Sequence, residues 1–587
     1  MVTLTERSRA TLQTLLCLVI ALGWRVHLSG IYYGWEEGDY GNVMMVREVL
    51  DSGFTWFRTS HMPGWYSLAA VLRAMSDDAR ASALAMTLFF SLLNVGVGTL
   101  LARKLLGNGA AWLVGLWLAL QPEMALYGSS TQRSPNFTSM AFLGMAFLIW
   151  GQQRSGFAAT AAAFLVRMEG FFTLYLPALW SWTRDRGEGF RWTSLLLPVS
   201  ILSGVVLGWQ AYITQVHGEG FFVLGPLGIN LSGESDGEAF EVGSWLVSGL
   251  AIIWDLLRWT LPRKLGGAWI ILTLLGTVAL ARRIGRPGSR VLLVYAGFGL
   301  SFWLGEALLA QHHVNPQAEL IEPCGILDPE HNLYWVWLLH AIPFLALVAG
   351  AGWTFVERRM THLPSFVRNA VLAGVILSAL PSFLNETTLQ IERSARWYRP
   401  QLDLSTWLET ETPPGTGILT SSIPEVWLKR SDLKPEASCD PDGDGRTYCW
   451  RRTDTGQRVY SWWTLPTSRG EMVPSEVVAG SEEAESFPRE EDFLLFLQRE
   501  EIRYLIFFEE EWTDARRFAS FLESGTDVQQ GGMNFTMLDA DPPMAACGYG
   551  WRLFGVSPVG EPTPPSPPSF GSGIQGKGWG TPAASRP

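Results

Sequence analysis

Glu36, Glu37 and Asp39 place three carboxylates within four residues, inside Tyr32-Tyr-Gly-Trp-Glu-Glu-Gly-Asp-Tyr-Gly. Carboxylates this close cannot all stay ionised cheaply without a cation, a hydrogen-bond donor or a metal beside them. Such a group suits a general base that takes a proton from an attacking hydroxyl, or a ligand set for a divalent cation. The alternative is a hydrated loop with acidic decoration. Basic residues follow in Arg58-Thr-Ser-His61-Met-Pro-Gly-Trp-Tyr, then at Arg133 and Arg167. Ionisable groups at membrane depth, as Arg133 and Arg167 would be, usually face a cavity. Arg58 and His61 read equally well as interface anchors beside Trp56 and Trp65, and Arg167 as the ion-pair partner of Glu169.

His312, His313, Glu322, Asp328, Glu330 and His331 crowd one stretch without a recognisable metal-ligand spacing, which favours a solvated loop. In Cys439-Asp-Pro-Asp-Gly-Asp-Gly-Arg-Thr-Tyr-Cys449, Asp440, Asp442 and Asp444 alternate before Gly445, like the front half of a calcium loop. Arg451 stands where a helix–loop–helix site has a bidentate Glu. The expectation is structural calcium, or a Gly/Asp turn closed by a Cys439–Cys449 disulfide; extracellular repeats of the thrombospondin type 3 kind are similar.

The elements that position these groups follow from composition. The chain has 587 residues, 48% hydrophobic and 17% charged, where soluble proteins are about a quarter charged. Residues 1–384 carry 25 Lys+Arg against 24 Asp+Glu, a net of +1, and the remainder 19 against 31, a net of −12. An acidic total with no basic stripe excludes nucleic acid as the natural partner.

Crossing a bilayer takes about 20 mostly apolar residues. About eleven candidate spans recur, near 11–30, 82–102, 110–128, 135–151, 156–167, 170–183, 193–215, 266–281, 291–310, 333–354 and 366–384. The Lys/Arg bias of short connections puts Arg7/Arg9, Arg103/Lys104, Arg154, Arg184/Arg186/Arg191, Arg282/Arg283/Arg286/Arg290 and Arg358/Arg359 inside. Those clusters alternate only if 155–183 forms two short helices turning near Arg167 and Glu169. The first span reads as a retained signal-anchor. The expected location is the plasma membrane, multi-pass, with everything after 384 extracytoplasmic. Cys324, Cys439, Cys449 and Cys547 then all fall on the oxidising side.

Three external connections, 31–81, 216–265 and 311–332, are long enough to be functional. The second contains an amphipathic run, Val247 to Leu261, which lies along the membrane surface or forms an extra span. Residues 385–556 read as a small α/β domain. Its signals are a strand at Gly417-Ile-Leu-Thr, an amphipathic helix over 490–501 with Phe493, Leu494, Phe496 and Leu497 on its apolar side, and a buried strand from Ile502 to Phe508. Residues 557–587, rich in Pro, Gly and Ser, cannot bury a core and are expected to be disordered.

An acidic pair after the first span, an aromatic shortly beyond, and a His-x-Pro before another aromatic resemble the GT-C superfamily of membrane glycosyltransferases. The nearest branch holds the protein O-mannosyltransferases and the aminoarabinose transferases of lipid A. That family's pattern is Asp-Glu-x-x-Tyr and then Lys/His-Pro-Pro; this sequence has Glu36-Glu37-Gly-Asp39-Tyr40 and His61-Met62-Pro63-Gly64-Trp65-Tyr66. Leu120-Gln-Pro-Glu-Met-Ala-Leu-Tyr with Arg133 is similar to the family's external turn after the third span. Leu165-Val-Arg-Met-Glu-Gly-Phe is similar to its Thr-Arg-Pro-Glu-Gly segment. The resemblance covers residues 1–384 in architecture and these four patches in detail.

It implies a polyprenyl-phosphate sugar donor entering from the membrane lipids, and a lipid, glycan or protein acceptor on the outer side. It also implies Glu36 in the place of the catalytic Asp and Glu37 in that of its acidic neighbour. Glutamate is one methylene longer, so Asp39 stays open as the base. Arg58 and His61 match a loop near the lipid phosphate, which Arg133 or Arg167 would also hold. No cofactor is required by this reading, although a divalent cation at the carboxylates is compatible with it. The rival expectation is a transporter or flippase, which would place charged residues in mid-span. A second rival is a non-catalytic assembly or receptor component whose function sits in the acidic tail.

Overall fold

The computed structural model describes residues 6–32, 42–43, 45–46, 49–50, 52–55, 62–76, 79–131, 134–167, 193–217, 264–283, 289–290, 292–293, 297, 330–420, 433–435, 449–452, 457–461, 490–508, 519–522, 527–540 and 551–567. Two compact units divide within one helix, between Ser394 and Ala395.

The first unit is helical: α1 (Glu6–Ile31), α2 (Pro63–Ser76), α3 (Ala79–Leu106), α4 (Asn108–Leu120), α5 (Pro122–Tyr127), α6 (Ser134–Ile149), α7 (Gln153–Val166), α8 (Thr193–His217), α9 (Gly267–Ala281), α10 (Glu330–Arg359) and α11 (Ser365–Glu411). By length and composition, Ser8–Ile31, Arg80–Leu106 and Ser365–Glu392 can each cross a membrane. Helix α1 shows why: Leu12, Leu15, Leu16, Val19, Ile20, Leu22 and Val26 are exposed, while Cys17, Ala21, Arg25 and Leu28 are buried. Their spacing of four, four and three residues forms one stripe that faces the bundle, and the apolar remainder is left for lipid.

Packing inside the bundle relies on small residues and flat rings. Trp117 of α4 and Trp269 of α9 stack with centroids 4.3 Å apart. Helices α9 and α10 cross at Gly276 and Gly352, where a Cβ on the first would run into the Val348 carbonyl and one on the second into that of Leu272. Such close approach gives dispersion contact, which drives helix association where lipid is as apolar as the core.

One expected span is broken and another runs far beyond its expected end. The span expected over 110–128 is broken at Gln121 into α4 and α5, because Pro122 has no N–H and its ring cannot follow the preceding turn. The last span, expected over 366–384, continues as a single helix to Glu411. Leu384, where the charge pattern changes, is an interior position of α11.

The second unit is an eight-stranded mixed sheet, order β2-β3-β4-β1-β5-β8-β7-β6. The strands are β1 (Gly417–Thr420), β2 (Leu433–Pro435), β3 (Cys449–Arg452), β4 (Arg458–Ser461), β5 (Ile502–Phe508), β6 (Val528–Gln530), β7 (Met533–Ala540) and β8 (Trp551–Pro558), with helix α12 at Glu490–Arg499. β1 lies parallel to both β4 and β5, and the other pairs are antiparallel. Leu419, Leu505 and Phe507 face α12, while Ile418, Tyr504 and Ile506 face Leu404, Trp407 and Leu408 at the end of α11. This period-two division makes the centre a sheet covered on both faces. Helix α12 ends at Arg499, two residues before the expected Glu501, whose φ of 53° turns the chain into β5. β6 and β7 join through Gly531-Gly532 at φ 56° and 77°, the left-handed pair that a two-residue hairpin turn needs.

Candidate functional site

One end of the first unit gathers groups from distant parts of the chain. Its centre is the segment 121–131, which α5 makes rigid. Gln121 begins it: the Oε1 atom accepts the Met124 N–H at 2.7 Å, and Pro122 occupies the first helical position, where no N–H is needed. The segment ends in Ser129, Ser130 and Thr131, all buried. The Ser129 hydroxyl donates to the Leu126 carbonyl at 2.8 Å, a local bond that closes the turn.

Arg25 of α1 secures this segment from below. It is fully buried and its Nε donates to Ser91 Oγ at 2.7 Å. Its two terminal nitrogens reach the carbonyls of Ala119 (2.8 Å), Leu118 (3.2 Å) and Met124 (3.2 Å), and its own Ala21 (3.3 Å). Leu118 and Ala119 lie in the last turn of α4, whose carbonyls have no partner within the helix, and a guanidinium there also suits the negative end of the helix dipole. One turn further along α1, Leu28 and Tyr32 pack on Ala125 and Leu126.

The other edge of the segment is held from the connection between α1 and α2. Asn42 Nδ2 donates to the Thr131 carbonyl at 3.0 Å, and Asn42 Oδ1 accepts the Tyr66 hydroxyl at 2.7 Å. All three residues are buried. Val43, Met45, Val46 and Val49 continue into one apolar cluster with Met62, Trp65 and Tyr66, and with Ala163, Phe164 and Val166 of α7. Gly64 closes this contact: a Cβ there would stand 2.8 Å from the Leu165 carbonyl oxygen. Helix α7 ends immediately afterwards, with Arg167 extended at φ −146°, ψ 145° and half-buried.

A buried ion cluster adjoins the same segment. Lys264 Nζ lies 2.5 Å from Glu123 Oε1 and 2.9 Å from Glu386 Oε1, with all three side chains no more than 3% exposed. Gln121 donates to Glu123, and Gln390 Nε2 donates to Glu386 Oε1 at 2.7 Å. One ammonium is therefore shared by two carboxylates from separate helices. Glu386 lies two residues beyond the expected end of the last span at 384. It sits inside the apolar stretch of α11, where an ion pair with good geometry offsets desolvation.

Of the residues singled out from sequence, Arg167 is described. Glu36, Glu37, Asp39, Arg58, His61, Arg133, Cys439, Asp440, Asp442 and Asp444 lie outside the described residues, as does most of the 311–332 connection, and Cys449 is described as the first residue of β3. Among the described residues, no group of three or more His, Cys, Asp or Glu side chains could hold a metal ion. Sequence reasoning missed Arg25, Asn42, Lys264 and Glu386. Arg25 carried a usable signal, a lone arginine in an otherwise apolar span; Lys264 and Glu386 find each other only in three dimensions.

No family model matches the sequence, and no curated protein matches it. Among solved structures, the apo oligosaccharyltransferase of Archaeoglobus fulgidus aligns with a TM-score of 0.50 at 10% identity, covering 86% of this chain and 70% of that one. ArnT from Cupriavidus metallidurans in the apo state aligns with a TM-score of 0.47 at 16% identity, covering 72% and 85%. The chain is thus similar in fold, at low sequence identity, to membrane glycosyltransferases of the GT-C type, as the archaeal enzyme's alignment shows.

Proposed function

We propose that this chain is a plasma-membrane glycosyltransferase that moves a sugar from a polyprenyl-phosphate donor to an acceptor hydroxyl on the extracytoplasmic side. One observation carries the reading. The stretches that resemble the GT-C pattern meet: Tyr32 packs on Ala125 and Leu126, Asn42 bonds Thr131 and Tyr66, and Gly64 abuts Leu165. The carboxylates Glu36, Glu37 and Asp39 therefore lie on a nine-residue stretch, 33–41, whose two ends are tied to the single segment 121–131. Asp39 is three residues from Asn42 in the sequence.

Helix-end contacts support the assumed orientation. Gln13 bonds Asn108 and Arg103, and Thr354 bonds Leu106, all at ends that the Lys/Arg bias puts inside. Glu123, Lys264 and Glu386 meet at ends that it puts outside.

In the proposed reaction, a carboxylate of the 36–39 group takes the proton of the acceptor hydroxyl. The hydroxyl oxygen attacks the anomeric carbon as the bond to phosphate breaks, and the polyprenyl phosphate leaves with the negative charge. Arg133, Arg167, Arg58 and His61 are the candidates to steady that charge. Because Glu stands where the family has Asp, Asp39 is retained as an alternative base. The second unit, 395 onward, serves acceptor choice in this reading, and calcium at Asp440, Asp442 and Asp444 beside a Cys439–Cys449 disulfide would stabilise it.

Purified protein in vesicles, given a panel of polyprenyl-phosphate sugars, should release or transfer the sugar from at least one. A transporter or flippase is the second reading, favoured by the buried charges of Glu123, Lys264 and Glu386. It predicts movement of the lipid-linked sugar across the vesicle with no bond broken.

A further inference from the structure

From the bonds of its guanidinium we infer that Arg25 is a positioning residue for the proposed transfer, setting the distance between the two anchors of the acidic stretch. The inference rests on the glycosyltransferase reading.

The stretch leaves α1 at Tyr32 and returns to the described fold at Asn42. Tyr32 is placed by Leu28 and by its packing on Ala125 and Leu126, and Asn42 by its bond to the Thr131 carbonyl. Both anchors are therefore referred to the segment 121–131, and the position of that segment relative to α1 sets where they stand. Arg25 is the group that fixes it. Its fork reaches the last turn of α4 through Leu118 and Ala119, and α5 through Met124, while its Nε bonds Ser91 of α3. Ser91 Oγ donates to the same Met124 carbonyl at 3.2 Å, so α1, α3, α4 and α5 meet on one side chain.

The geometry needs arginine. Its five donors are fixed in a plane and directed at separate acceptors, whereas a lysine ammonium is one point on a flexible stem. Among the described residues the hydrogen bonds of Arg25 all go to neutral oxygens, which marks it as a brace for backbone carbonyls. It touches no reacting atom; its effect runs through Met124 and the segment beyond it. A misplacement of about 1 Å at a reacting group can cost about a hundredfold in rate.

The test compares Arg25→Lys with Gln13→Leu in the purified full-length protein. Gln13 is the control because it also ties α1 to α4, through Asn108 at the opposite end. The readouts are kcat and the donor KM per folded enzyme, and amide hydrogen exchange. Arg25→Lys should lower kcat at least tenfold with the donor KM within threefold of wild type, and should speed exchange in peptides covering 28–42 and 121–131. Gln13→Leu should leave kcat unchanged and speed exchange only near its own end. Wild-type kcat in Arg25→Lys, or a loss that disappears once expressed per folded enzyme, overturns the inference. Exchange is independent of turnover, so localised acceleration with no transfer by wild type against any donor would sink the transferase reading while upholding Arg25 as the brace. Unchanged exchange at 28–42 and 121–131 would sink the brace itself.

Discussion

Asn42 joins the connection between α1 and α2 to the turn after α5 by a single bond, from its Nδ2 to the Thr131 carbonyl at 3.0 Å. Its other amide atom accepts from Tyr66 at 2.7 Å, so one buried side chain holds three stretches that are far apart in sequence.

Asn42→Leu removes both bonds at once while keeping most of the volume. Losing buried hydrogen bonds of this kind costs about 1–3 kcal/mol, and the carboxylates three to six residues upstream lose one of their two anchors. Transfer should fall about ten- to a hundredfold, with a lowered unfolding temperature. Tyr66→Phe removes only one of the bonds and should give a smaller loss in both. Initial rates and thermal unfolding in detergent decide this, and a fully active Asn42→Leu would separate Asn42 from the chemistry.

Lys264→Met removes the ammonium between Glu123 and Glu386, leaving two carboxylates facing each other out of water. Breaking a buried pair from one side costs about 3–5 kcal/mol. Replacing all three, as Glu123→Gln, Lys264→Met and Glu386→Gln together, should recover most of that loss, because a well-packed neutral cluster avoids desolvating ions. Denaturant or thermal unfolding of the two variants checks the order.

Gly276→Val should destabilise the bundle by about 1–3 kcal/mol or more, since its Cβ meets the Val348 carbonyl and neither helix backbone can yield locally. Gly204→Val, on α8 where a Cβ meets nothing within 4 Å, should be close to neutral. Unfolding temperatures of the pair provide the comparison.

Periodicity made the second unit's centre legible. Phe493, Leu494, Phe496 and Leu497 are buried as their spacing requires, while Leu495 between them is 62% exposed. The strands Gly417–Thr420 and Ile502–Phe508 have the expected bounds. The other six strands were not read from the sequence: β2 and β6 have three residues each, too few to display an alternation, and β7 and β8 were missed although each has eight. In the first unit, apolar run length located the helices, but it could not see the break at Pro122 inside an apolar run or the extension of α11 past a change in charge. The candidate site was half legible. The patches were readable as motifs, but the side chains that bind them, Arg25 and Asn42, act through backbone carbonyls that carry no sequence signature. Glu386 looked like the first charge beyond a span until its partner Lys264, more than a hundred residues away, was beside it.

In the proposed transfer, a carboxylate of the 36–39 group abstracts the acceptor proton. Single-turnover transfer from a polyprenyl-phosphate sugar that wild type accepts, measured for Glu36→Gln, Glu37→Gln and Asp39→Asn, tests it most directly. The amides keep size and remove basicity, so at least one variant should lose transfer by about a hundredfold or more while still binding donor. Three variants with wild-type rates would contradict the account.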